Sequence, residues 1–318
     1  MKSTQSKHSL VGVYLRGMAM GAADVVPGVS GGTIALISGI YDRFIHALTA
    51  TGSVASLQEL STGKFKQLWV RADLTFLLTL FVGILTSVVC FAHGIDMLIT
   101  NYPQPTWAFF FGLVLASAWV LAVAAHASFG ITLKITVAAI LGALLAFGAN
   151  HVGPQTIDVT FVHFFIGGAI CICAMILPGV SGSFLLLMLG LHAPVLHAVK
   201  NVQLGALASF SLGCALGLLS FSHLLSWCLK RYPAISHSFL IGLMLGALEG
   251  LWPWRQVLAT RLDRHGETQV LLDQSIWPWQ VLDRTGQSAQ LLLCALAFIL
   301  AFFVILGVSR LGRVKAYP

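Results

Sequence analysis

The stretch Gly17-Met18-Ala19-Met20-Gly21-Ala22-Ala23-Asp24-Val25-Val26-Pro27-Gly28-Val29-Ser30-Gly31-Gly32-Thr33 sets a proline and several glycines inside apolar sequence. Its core, Pro27 to Gly31, recurs 151 residues later as Pro178-Gly179-Val180-Ser181-Gly182. Proline removes a backbone donor and clashes with the preceding turn, and glycine weakens a helix, so each copy breaks one. In lipid, irregular backbone is tolerated only where protein buries it or where it lines a cavity. Paired breaks at matching positions of two halves point to a transporter's substrate site.

The flanking sequence is that of a polytopic membrane protein. Of 318 residues, 57% are hydrophobic and 9% charged, against roughly 25% charged in soluble domains. The net charge of +7 comes from basic residues at span ends, where they set orientation, and is no sign of a nucleic-acid partner. The N-terminal residues through Ser9 carry Lys2 and Lys7 and show no signal-peptide pattern. Six cysteines lie in apolar stretches and read as reduced packing residues. Neither they nor the histidines have zinc-ligand spacing, so no metal is expected.

The repeat extends well beyond the pentapeptide. The 151-residue shift also aligns Gly39 with Gly190 and His46 with His197. A shift of 130 aligns Tyr102-Pro103 with Tyr232-Pro233, Phe109 with Phe239 and Gly112 with Gly242. The difference places extra residues in the polar stretch 51–70 of the first half. A weaker match sets Gly148 opposite Gly307. The chain therefore reads as one membrane domain built by duplication: residues 1–150 and residues 151–318.

Each half starts with a broken hairpin, at about 14–48 and 161–199. Three spans follow in each: about 74–93, 106–125 and 131–149, then 204–229, 237–251 and 289–308. The hairpin arms are shorter than the roughly 17–25 residues of a full span, so they are expected to be re-entrant. A hairpin returns the chain to its starting side and three spans do not, so the second half is expected to be inverted. Loop charge agrees. Arg43, Lys64, Lys66, Arg71, Lys134, Lys230, Arg231, Arg310 and Arg313 fall on one side with both termini, the cytoplasmic one; opposite fall Lys200, which breaks the rule, and four arginines of the loop 253–288, which its acids Asp263, Glu267, Asp273 and Asp283 nearly balance. The loop 253–288 is then external. Its Trp252-Pro253-Trp254 and Trp277-Pro278-Trp279 flank a predicted β-hairpin, 257–262 with 268–272, which reads as an interfacial anchor or a lid. The expected class is all-α, with two inverted repeats, each a re-entrant helical hairpin and three spans.

The breaks are candidate anion sites. A helix start offers unpaired N–H groups and the positive end of its dipole, and glycine allows close approach. The candidate binding residues are Gly28, Ser30, Gly31, Gly32 and Thr33 with Gly179, Ser181, Gly182 and Ser183. The same small residues also suit plain tight packing. Asp24 is costly in a membrane. It is a candidate to carry a proton, to pair with Arg16 or Arg43, or to cap the broken helix. Its repeat partner is Met175, so the two copies are not chemically equivalent. Glu249, His46 and His197 are further candidates for a charge or proton relay, or plain interfacial residues.

The first break, with Gly39-Ile40-Tyr41 downstream, resembles the signature of the polyprenyl-phosphate transporter (PopT) family, a membrane family first defined as a domain of unknown function. Residues 176–183 resemble its second motif. The resemblance covers about residues 10–310. It implies a translocase of the bacterial cytoplasmic membrane that returns undecaprenyl phosphate for reuse in envelope synthesis, with no cofactor, proton or sodium coupling open, and no enzyme activity. The alternatives are a lipid-pyrophosphate phosphatase and an ion-coupled carrier of a small soluble anion. The first would need an arginine beside the reactive serine and a pair of intramembrane glutamates, and the sequence offers neither.

Overall fold

A computed structural model describes residues 9–25, 30–151, 159–262, 268–286 and 288–312. The first hairpin begins with α1 (Leu10–Asp24), capped by the Ser9 hydroxyl, which accepts from the Gly12 N–H at 3.1 Å. The chain then turns back through α2 (Gly31–Ile37) into α3 (Tyr41–Thr51). Two short helices follow, α4 (Val54–Ser61) and α5 (Phe65–Arg71). The polar insertion of the first half is thus helical and is pinned by a 2.5 Å Arg71–Glu59 ion pair. Next come α6 (Leu74–Asn101), α7 (Pro103–Phe129) and α8 (Leu133–Asn150).

The second half repeats this order without the insertion: α9 (Phe161–Ile176), α10 (Gly182–Met188), α11 (His192–Lys200), α12 (Leu204–Arg231) and α13 (Pro233–Ala247). After a single 3₁₀ turn, β1 (Arg255–Leu262) pairs antiparallel with β2 (Thr268–Ser275), as the sequence predicts. The chain ends with α14 (Val281–Thr285) and α15 (Leu291–Gly312). Each hairpin therefore holds three helices rather than two arms. Most spans run longer than expected; α6 continues eight residues past His93.

Matched residues take matched conformations. Tyr102 and Tyr232, each before a proline that opens a helix, sit at φ −134°, ψ 56° and φ −135°, ψ 58°. Proline at a first helical position lacks only an N–H that would be unpaired there, and it disfavours helical backbone at the preceding residue. Gly39 and Gly190, closing the second hairpin helices, have φ of 70° and 69°.

Among the described residues, five helices are long and apolar enough to cross a membrane: α6, α7, α12, α13 with its 3₁₀ turn, and α15. The helices α8 and α9 are apolar but shorter. The chain is an α-helical multi-pass membrane protein. About half of α7 and α13 is buried, whereas α6, α12 and α15 bury about a fifth and expose rows of Leu, Phe and Val. The former pair is central and the latter helices face lipid.

Helix pairing is set by small residues, which let backbones touch where lipid supplies no hydrophobic drive. A Cβ on Gly17 or Gly21 of α1 would lie 2.3 Å from Leu80 O or 2.4 Å from Ile84 O of α6. On Gly213 and Gly217 of α12 it would meet Phe165 and Ala169 of α9. On Gly242 and Gly246 of α13 it would meet Ala139 and Ala143 of α8. In each pair the contact numbers rise together, so the helices run in the same direction. The last helix of each half packs on the other half: α8 on α13, and α15 on α7 at Gly112.

The strands are tied down at their base. Trp252 donates to Ile276 O and Trp254 to Ala289 O, each at 2.9 Å. Trp252 and Trp254 pack inward, while Trp277 and Trp279 stack on each other and stay exposed. The predicted turn around His265 lies outside the described residues.

Candidate functional site

The two breaks meet. A Cβ on Gly32, at the start of α2, would sit 2.5 Å from the carbonyl of Ile176, at the end of α9. A broken helix leaves carbonyls unpaired at one end and N–H groups at the other, and here the carbonyls at the end of α9 find their partners across the contact. The buried Ser30 hydroxyl points between the carbonyls of Met175 (3.2 Å) and Leu177 (3.1 Å). The hydroxyl of Tyr41, also buried, donates to the carbonyl of Ile176 at 3.1 Å. In return the Gly179 N–H donates to Thr33 Oγ1 at 3.1 Å. Gly179 has φ +81° and lies against the backbone of Leu243 and Met244 on α13. A side chain there would be strained by its conformation and would also clash.

The start of α2 is satisfied within its own hairpin. Asp24 Oδ1 accepts from Gly31 N at 2.6 Å, Ser30 Oγ accepts from Gly32 N at 3.1 Å, and Ser30 O accepts from Thr33 N at 2.9 Å. The sequence predicts unpaired N–H groups here; in this conformation those of Gly31, Gly32 and Thr33 have partners. Gly182 packs against Cys171 and Met175 of α9, and Ser181 is buried beside it. Gly28 and the Ser183 side chain lie outside the described residues.

The charged candidates are dispersed, and two proposed pairings are corrected. Asp24 pairs with neither Arg16 nor Arg43 among the described residues; its carboxylate caps α2. Arg43 bonds Asp73 at 2.7 Å and covers the Phe76 ring at 4.2 Å. The intervening helices α4 and α5 bring Asp73 back beside α3, a closure invisible along the chain. Arg16 bridges the hairpin base, donating to Gly12 O at 2.9 Å and Ser38 O at 3.3 Å. Glu249 sits under the β-hairpin, bonded to Arg255 at 3.3 Å and to the Ser275 hydroxyl at 3.1 Å. His46 and His197 are exposed, and Gln203 contacts His197 Nδ1 at 3.3 Å.

Two features escaped sequence reading. Tyr41 joins the tip contact, and its only signal was its place in Gly39-Ile40-Tyr41. A cavity of about 1000 Å³ also runs beside the first hairpin, walled by α1, α2, the end of α6, α7 and α15.

Replacing Ser30 by Ala together with Tyr41 by Phe removes the hydroxyl partners of the Met175 and Ile176 carbonyls and leaves that of Leu177 only a 3.5 Å bond from the Val180 N–H. Each unpaired buried group costs about 1–3 kcal/mol. The double variant is therefore expected to melt well below wild type in detergent, while Ser220→Ala, whose hydroxyl bonds only its own helix, leaves the transition in place. Thermal unfolding followed by fluorescence checks this.

Comparison with known proteins identifies the family. Residues 20–269 match a family model described as VCA0040-like, undecaprenyl phosphate translocase-like. A Vibrio cholerae serotype O1 protein named polyprenyl-phosphate transporter is 44% identical over 301 residues, 93% of this chain and 95% of that protein. A Staphylococcus aureus protein of the same name is 29% identical over 255 residues, 75% of this chain and 85% of that one. No solved structure matches. With a family match over most of its length and a relative this similar along nearly all of both chains, the chain belongs to the undecaprenyl phosphate translocase-like family.

Proposed function

We propose that this chain moves a polyprenyl phosphate, undecaprenyl phosphate in particular, across the bacterial cytoplasmic membrane for reuse in envelope synthesis, as a transporter and not an enzyme. The observation that carries it is the meeting of the two broken hairpins, in a chain whose relatives are named polyprenyl-phosphate transporters. A helix of 15 residues spans about 22 Å, short of a hydrocarbon core of about 30 Å. Beside α6, α1 stops near its middle. Both fit a re-entrant arm. The shared directions of α1 with α6, α9 with α12 and α8 with α13 fit two inverted halves, with termini in the cytoplasm.

The head group then crosses where the tips meet, while the isoprenoid tail stays in lipid. Ser30, Thr33 and the Gly179 N–H exchange their tip-to-tip bonds for bonds to phosphate, joined by Ser181 and the backbone of Gly31, Gly32 and Gly182; Gly28 and Ser183 complete the proposed set from the sequence alone. Asp24 stands at this contact. A carboxylate there repels a phosphate monoester of about −1.5 to −2 charges, so a proton on Asp24 accompanies passage. Arg43, Glu249, His46 and His197 lie in separate places and serve as peripheral charges.

Purified protein in vesicles loaded with undecaprenyl phosphate tests the reading. Lipid phosphate is expected to equilibrate between leaflets only when protein is present, faster under an imposed proton gradient, and slower with Ser30→Ala/Ser181→Ala. Release of inorganic phosphate from undecaprenyl pyrophosphate would make the chain a phosphatase. Uptake of a labelled soluble anion with no lipid movement would make it an anion carrier.

A further inference from the structure

The cavity beside the first hairpin is apolar along nearly its whole wall. Its lining includes Leu15, Ala19, Phe109, Phe110, Ala297 and Leu300, and its only charged member among the described residues is Arg16. It follows α15 from Leu293 to Val308, about 22 Å at 1.5 Å per residue. Leu15, Leu293, Leu300 and Val304 line it and are also exposed on the lipid-facing surface, so it opens sideways between α1 and α15. Arg16 lies at one end with Ser38 and Val308, opposite Leu293, Tyr102 and Pro105.

An arginine inside an apolar groove is costly unless something pairs it. Arg16 has no carboxylate partner among the described residues. A guanidinium carries five N–H donors. Two reach backbone carbonyls at the hairpin base, which fixes the plane of the group. The remaining donors have no protein acceptor among the described residues. A planar, held guanidinium suits a phosphate that can accept two parallel bonds, and the long apolar wall suits a chain that follows the head.

Resting on the transport reading above, we propose that this groove is a lateral docking site for a single-chain lipid monophosphate. Arg16 binds the phosphate at one end, and the tail lies along α15 between α1 and α7. Among the described residues the site is distinct from the tip contact: neither Ser30 and Gly31 nor residues 178–182 line it, though Ala23 and Ile34 bring its wall to within a few residues of Asp24 and Gly31. The lipid therefore waits beside the hairpin before or after its head passes the tips.

The test is binding of farnesyl phosphate, farnesol and dioleoyl phosphatidic acid to the purified full chain in nanodiscs, with vesicle transport run in parallel. Arg16→Gln is expected to weaken farnesyl phosphate at least about tenfold, the loss of one charge-assisted hydrogen bond, and to leave farnesol unchanged. Ala297→Trp, which fills the groove without touching Arg16, is expected to weaken both and keeps the proposal testable if Arg16→Gln does not fold. Farnesyl phosphate bound equally by wild type and both variants overturns the site. So does equal binding of phosphatidic acid, since a two-chain lipid should not fit one groove. If both variants transport at the wild-type rate, the groove proposal fails and the transport reading stands. If wild type binds farnesyl phosphate through Arg16 but moves no polyprenyl phosphate, the transport reading fails and the groove remains.

Discussion

Alanine at Gly213 is expected to leave little correctly folded protein. Its methyl group would fall 2.0 Å from the carbonyl oxygen of Phe165 and 2.8 Å from the carbonyl carbon. Both belong to the backbone of α9, so no side-chain rotation relieves the clash, and α9 must move away from α12. The end of α9 at residues 175–177 moves with it, and the tip contact to Ser30, Thr33 and Tyr41 loosens. Overpacking a dense core costs about 1–3 kcal/mol; valine should cost more. Gly242→Ala, 2.0 Å from Ala139 O, is expected to do the same at α8 and α13. The contrast is Gly148→Ala or Gly307→Ala. Nothing lies within 4 Å of a Cβ at either, so alanine's helix preference of up to about 1 kcal/mol is expected to leave stability equal or higher. The yield of monodisperse protein on size exclusion, followed by its melting temperature, separates the two groups.

Asp24 is expected to split into two phenotypes. Asp24→Ala removes the acceptor for Gly31 N, a bond of 2.6 Å. Hydrogen bonds to a charged group contribute about 1.5–3 kcal/mol, so the tip frays and transport falls to near background. Asp24→Asn keeps an oxygen able to accept from Gly31 N and removes a charge that costs at least about 2.5–3.5 kcal/mol in a bilayer. It is expected to be as stable as wild type. If passage requires a proton on Asp24, the asparagine stands for the protonated form. Transport by Asp24→Asn should then proceed without responding to an imposed pH gradient. A gradient response equal to wild type would remove Asp24 from coupling and leave it a helix cap.

Much of this architecture is legible in the sequence because it is carried by local signals. Proline and glycine mark the breaks at 27–31 and 178–182, the Tyr-Pro pairs mark two corners, and the tryptophan pairs bracket the β-hairpin. Three things resist such reading because they depend on closure between distant segments. Arg43 finds Asp73 only after α4 and α5 fold back. Tyr41 reaches Ile176 only once both hairpins are docked. The groove takes its walls from α1, α7 and α15, and α15 is so uniformly apolar that no pattern distinguishes a groove wall from a lipid-facing surface. The N–H groups expected to be free at the first break are taken up by Asp24, in the capping role that is one of its readings, and by Ser30, whose side chain is short enough to reach its own helix start.

The bonds from Ser30 to Met175 and Leu177 link residues 145 and 147 positions apart. A ribosome adding about 5–20 residues per second needs about 7–30 s to make that interval. Through it the first hairpin is already in the membrane, with the Ser30 and Tyr41 hydroxyls lacking their final acceptors and the glycine face of α2 uncovered. The third span, α8, likewise waits for α13. The early half is thus a nascent intermediate with a polar edge in lipid, and the later half completes it. A chain arrested between residues 60 and 160 should be held by insertion factors or degraded, while the two halves expressed as separate chains should be recovered only together.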